Sequence, residues 1–131
     1  MVFTAHFVDA RYKGRYGPAI GVRCVRDRGI QFAAHVDGSA YLYTTKLPGE
    51  NFSSRVLAVR RDLTPLSDSV NIGIGATPDG KITGYRDNSA VLEALNDDGI
   101  KQEQSSGTCL SIAANSEGGA GIFNNFRLYK Y

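Results

Sequence analysis

The sequence predicts an all-β protein built as two antiparallel sheets packed face to face. Three observations carry this. Apolar and polar residues alternate with period two along most of the chain, and short alternating runs are separated by clusters of Gly, Pro, Asn and Asp. No stretch shows the three-to-four spacing of an amphipathic helix.

The elements follow in order. In residues 2–9, Phe3, Ala5 and Phe7 fall on one face, and Thr4, His6 and Val8 on the other. Residues 19–26 put Ile20, Val22 and Cys24 together, with Arg23 opposite. Residues 30–36 set Ile30, Phe32, Ala34 and Val36 against Gln31, Ala33 and His35. The short link Asp27-Arg28-Gly29 joins these two runs as a hairpin, and Asp37-Gly38-Ser39 turns the chain into residues 40–45. Three antiparallel strands in succession make a meander.

Leu47 to Asn51 is a loop, and residues 54–61 form the next strand. After a longer connection containing Pro65, residues 70–76 point Val70, Ile72 and Ile74 inward. Thr77-Pro78-Asp79-Gly80 is a turn, followed by strands at 81–87 and 89–94 about a turn at Asp87-Asn88. The polar, acidic segment 96–107 reads as a mobile loop, and residues 108–114 as a strand. The chain ends in GIFNNFRLYKY, a segment rich in Phe, Tyr and Ile, expected as a strand in the middle of a sheet. In it Phe126 and Leu128 are expected inward, with Phe123 brought in by a bulge.

At 131 residues the chain forms one domain with a single sizeable core, residues 1–131, possible as part of a longer chain. No run of about 18 apolar residues is present, so no membrane-spanning helix and no membrane partner are expected. The start MVFTAHF has neither a basic region nor a long apolar region, as an export signal has. As part of a longer chain, the domain is expected outside the cell or on a virion surface.

Residues 1–61 hold ten Lys/Arg against four Asp/Glu, and residues 62–131 hold five against nine. In a sandwich the two halves interleave, so pairing between strands is expected rather than a polyanion site. No dense basic run with interleaved aromatics is present, and no nucleic acid partner is expected. Cys24 and Cys109 lie far apart in apolar runs, where each fits a small buried side chain; a disulfide is geometrically open but not indicated by two cysteines alone. His6 and His35 add no close ligand pair to them, so neither zinc nor a cofactor is expected.

Three segments carry a family resemblance. Residues 21–43 pass from a strand through an Asp-bearing turn, an aromatic strand and an Asp-Gly turn to a strand with Tyr41 and Tyr43. Residues 80–94 form a hairpin displaying Tyr85-Arg86-Asp87-Asn88, and FNNFRLY (123–129) is similar to a closing strand written Phe-Asp-Asn-Phe-Arg-Val-Tyr. In order and spacing the chain resembles the concanavalin A-like jelly roll, in its laminin-G-like and glycosidase-associated branch. The resemblance implies an antiparallel two-sheet jelly-roll sandwich. Asn124 stands where the closing strand usually has Asp, which argues against calcium, and Asn88 replaces a Gly. Against that pattern, an initial strand beside the last is expected to be missing, which leaves a place for a neighbouring copy in a homo-oligomer or for an adjacent domain.

Glycosidases of that fold align carboxylates on alternate positions of one strand, about 5–5.5 Å apart in retaining enzymes. Here the acids fall mostly in turns, no Gly-x-Ser-x-Gly elbow is present, and no catalytic residue is assigned. Gly73-Ile74-Gly75 has no following helix and fits small residues in a packed strand better than a dinucleotide loop. His6, Arg23, Gln31 and His35 are expected on one exposed sheet face, with Tyr41 or Tyr43 beside them. Planar hydrogen bonders next to an aromatic platform suit a carbohydrate. Tyr85 and Arg86 on the displayed turn complete the candidate set. The expected function is a non-catalytic, lectin-like carbohydrate-binding module; the alternative is a structural or receptor-binding domain of a phage tail or fibre.

Overall fold

The ten strands run from β1 (Thr4–Lys13), β2 (Pro18–Val25) and β3 (Arg28–Ala34) to β4 (Ala40–Lys46) and β5 (Ser53–Arg60). They continue with β6 (Ser69–Ala76), β7 (Lys81–Arg86), β8 (Ser89–Leu95), β9 (Thr108–Ile112) and β10 (Ala120–Lys130). This computed structural model describes residues 4–13, 17–25, 28–46, 53–77, 80–95, 108–112 and 120–130. The side chains of Arg23, Cys24 and Cys109, and the segments 47–52 and 96–107, lie outside the described set.

The strands form two five-stranded sheets. The first has the order β10-β1-β6-β7-β8 and the second β5-β4-β3-β2-β9. Every described pairing is antiparallel. The meander β2-β3-β4 is present as expected, and the chain is an all-β, two-sheet jelly-roll sandwich.

Alternation decides which residues meet between the sheets. Ile20, Ile30, Phe32, Leu42, Ile72, Ile74 and Ile82 are fully buried there. Burying one such side chain stabilises the fold by about 1.5–3 kcal/mol. β7 has no side chain where Phe32 of the other sheet packs on it: a Cβ on Gly84 would fall 2.2 Å from Cδ1 of Phe32.

Two expectations are corrected. In β1 the inward residues are Val8, Ala10 and Tyr12, which join the main core, while Phe7 faces out over Gly73. His6 therefore points inward with Val8 and is only 9% exposed. β1 pairs on both sides and carries packed side chains on both faces, so alternation alone could not tell which face was the core.

The second correction concerns β10, an edge strand rather than a central one. The place beside it that was expected to be vacant is filled by the chain's own first strand, β1, paired from Thr4 opposite Lys130 to Lys13 opposite Ala120. Phe123 does pack against the core. Its pairing with β1 steps from Asn124 opposite Asp9 to Arg127 opposite Phe7, and Asn125 has φ 54°, so a bulge forms as expected. Phe126 and Leu128, however, remain 50% and 48% exposed, because the strand lies at the sheet margin.

Candidate functional site

The outer face of the first sheet combines an aromatic cluster with a polar network. Phe7 lies directly on β6, where a Cβ at Gly73 falls 2.4 Å from its Cδ1. Its ring centroid is 5.2 Å from that of Tyr85 on β7 and 5.7 Å from that of Tyr129 on β10. The Tyr85 ring is tilted at 51° and the Tyr129 ring stands edge-on at 74°, arrangements favoured by aromatic quadrupoles. Phe7 is buried, whereas Tyr129 is 43% exposed, so the cluster presents an aromatic surface on a packed base.

Two residues along β1, the same face becomes polar. Asp9 Oδ1 accepts a hydrogen bond from Asn71 Nδ2 at 2.7 Å, and Oδ2 accepts one from Asn125 Nδ2 at 2.8 Å. The Arg127 guanidinium stands 3.7 Å from Oδ1. The Asn71 and Asn125 hydrogen bonds, with a smaller contribution from Arg127, hold the Asp9 carboxyl below its ordinary range. The bulge explains why Asn125 can reach: its positive φ turns the side chain toward β1.

The β7–β8 turn closes the other side. Asp87 and Asn88 have φ of 51° and 66°, the pattern of a two-residue hairpin turn. The Asp87 backbone donates to Asn71 O at 2.8 Å, and Asn71 N donates to Asp87 Oδ1 at 3.2 Å. A cleft of about 230 Å³ opens here, with Asp9, Arg11, Asn71, Asp87 and Asn124 in its lining. Among the described residues, Asn71 Oδ1 is the buried side-chain polar atom with no hydrogen-bond partner. Such an atom costs about 1–3 kcal/mol.

The residues singled out from sequence divide between three places. Tyr85 belongs to the aromatic cluster. Arg86 lies on the opposite phase of β7 and donates to Thr64 Oγ1 at 3.0 Å, so it does not join Tyr85. His6 faces the interior of the first sheet, where burial, and then Lys130, lower its pKa. It cannot share a face with Gln31 of β3 or with His35, which directly follows β3 in the second sheet's meander.

Gln31, His35, Tyr41 and Tyr43 do come together, on the outer side of the second sheet. Tyr43 OH donates to Gln31 Oε1 at 2.9 Å, and burial pushes its pKa up to about 12. The His35 and Tyr41 ring centroids are 4.7 Å apart. Arg23 is on neighbouring β2.

Sequence reasoning missed Phe7, Asp9, Asn71, Asn125, Arg127 and Tyr129. Two signals were available. Gly73 and Gly75 inside a strand mark close approach from above, and an Asn pair within β10 marks a bulge. Among the described residues, no three His, Cys, Asp or Glu side chains gather as metal ligands.

No family model matches the chain, and no curated protein does. Solved structures do. A carbohydrate binding module, CBM66 from Bacillus subtilis, superposes with a TM-score of 0.68 at 16% identity, over 98% of this chain and 75% of that one. An alginate lyase from Pseudomonas aeruginosa gives 0.48 at 15% identity, over 97% of this chain and 64% of that one. A polysaccharide lyase of family 18 gives 0.40 at 9% identity, over 99% and 72%. At such identities the first likeness establishes the jelly-roll fold, and the laminin-G-like branch is not distinguished.

Proposed function

We propose that the chain is a non-catalytic carbohydrate-binding module that contacts a neutral glycan through the outer face of its first sheet. The observation carrying this is the junction of the Phe7–Tyr85–Tyr129 cluster with a cleft lined by the polar residues Asp9, Asn71, Asp87 and Asn124. A sugar offers both complements, C–H faces for the rings and hydroxyl donors for amide and carboxylate oxygens. The ligand is neutral because the charges already balance: Asp9 and Asp87 stand with Arg11 and Arg127. Asp9 is a poor general acid, since its hydrogen bonds favour the ionised form. The fold likeness to a carbohydrate binding module supports the reading by analogy. The phage tail or fibre alternative draws no support from that likeness.

A neutral-glycan array followed by calorimetry tests the proposal. Tyr129→Ala and Asp9→Ala are each expected to weaken binding at least tenfold, about 1.4 kcal/mol. Absence of binding across the array, or an affinity in both variants equal to that of the unaltered protein, overturns it.

A further inference from the structure

We propose a second carbohydrate-contact surface on the outer face of the second sheet, centred on Tyr41, so that one domain bridges two neutral glycan chains. This rests on the carbohydrate reading of the first sheet but on different residues.

Tyr41 is half-buried on β4, opposite Ala33 of β3 and the exposed Val59 of β5. Two other side chains frame its ring. His35 lies 4.7 Å away, centroid to centroid, at 42°, and the Arg61 guanidinium carbon is 6.0 Å from the ring centre. Two residues along the strand, Tyr43 donates to Gln31 and stands opposite Val56, which is also exposed. Tyr43 packs on Ala19 and Ala33, so β4 raises two tyrosines above small neighbours on β2 and β3.

The resulting surface has ring and aliphatic faces in the middle and a guanidinium, an imidazole and an amide around them. Burial holds His35 below its ordinary pKa, so near neutrality it offers a neutral hydrogen-bonding ring. Among the described residues one guanidinium, that of Arg61, stands at this surface and does not make a polyanion site, whereas two tyrosines with polar side chains suit a neutral sugar. Core packing does not require exposed Val56 and Val59 beside Tyr41 and Tyr43; a contiguous apolar patch with a polar rim marks a contact surface. The two surfaces lie on opposite sides of sheets that pack about 10 Å apart, so one sugar unit cannot touch both.

The test uses calorimetry and amide NMR with neutral tetrasaccharides of gluco-, xylo-, manno-, galacto- and fructo-configuration. Two binding events are expected, with shifts near Tyr129 and Asn125 and, separately, near Tyr41 and Val59. Tyr41→Ala should remove the second event and leave the first within twofold. Tyr129→Ala should do the reverse, and Tyr41→Phe, which keeps the ring, should retain the second event within threefold. If Tyr41→Ala loses its folded spectrum, Val59→Lys probes the same face and should weaken the second event at least fivefold. With the matching long polysaccharide, the unaltered protein should cross-link and precipitate it, and Tyr41→Ala should bind without precipitation.

One-to-one stoichiometry with shifts confined to the first sheet overturns the second surface and leaves the carbohydrate reading standing. Shifts confined to the second sheet support the Tyr41 surface and overturn the first site. No response to any tetrasaccharide overturns both.

Discussion

Gly73→Ala probes the candidate site from beneath. The added Cβ falls 2.4 Å from Cδ1 and 2.5 Å from Cε1 of Phe7. Ordinary carbon contact is about 3.5–4.0 Å, so the ring must lift by roughly 1 Å. Above it stand Tyr85 and Tyr129, with centroids at 5.2 and 5.7 Å, and both must move in turn. Overpacking of this kind costs about 1–3 kcal/mol, and the stiffer unfolded chain offsets about 0.4–1 kcal/mol. The net loss is about 1–2 kcal/mol, or roughly 3–10 °C in Tm for a domain of this size. Thermal and urea unfolding of Gly73→Ala, Phe7→Leu and the double variant measure it. The smaller side chain at position 7 should relieve the clash, giving a favourable coupling of about 1 kcal/mol or more. An unchanged or raised Tm, or strictly additive single effects, would refute the stacking of Phe7 on Gly73.

Two further outcomes concern the network around Asp9. Asn125→Val should destabilise by about 2 kcal/mol in urea unfolding, because a β-branched residue is forced to positive φ and the bond to Asp9 is lost. Asn125→Gly, which accepts that φ, should cost less than about 1 kcal/mol. The folded pKa of Asp9 is lowered, so its stabilising contribution is complete above the unfolded carboxylate value of about 3.9 and is lost as pH falls through the lowered value. Asp9→Asn should flatten that part of an acid unfolding profile. His6 and His35 are also held below their ordinary values by burial, so the unfolded chain protonates first. Their contribution is complete above about pH 6.5 and declines as pH falls from there toward their lowered values; thermal melts of His6→Gln and His35→Gln should show a weaker decline there.

Strands were legible wherever local pattern was sufficient. The run Val70-Asn71-Ile72-Gly73-Ile74 showed both its period and its inward face, because apolar residues occupy only one side of β6. The Asp87-Asn88 turn was equally visible, since both residue types tolerate positive φ. β1 was not legible in the same way. Phe7 and Val8 are both apolar and both buried, one under an aromatic cluster and one in the core, so the choice of face depended on what lay across each. His6 was misplaced for that reason.

The candidate residues were harder still. Asp9, Asn71 and Asn125 are 62 and 116 residues apart from Asp9 to its two partners, and no local spacing announces such a meeting. It is produced by β1 lying between β6 and β10, and by a bulge that aims one Asn side chain. The sheet to which each tyrosine belongs was decided in the same way, Tyr85 going to one sheet and Tyr41 and Tyr43 to the other.

By itself, then, the sequence determined that this chain is all-β, where its strands and turns fall, and which stretches supply apolar faces, because alternation and turn chemistry act between near neighbours. Only the tertiary structure decided that β10 sits at an edge, that Phe7 faces outward, and that Asp9 lies between two asparagines and an arginine. Those outcomes depend on strand order and register, which are set by contacts between residues distant along the chain.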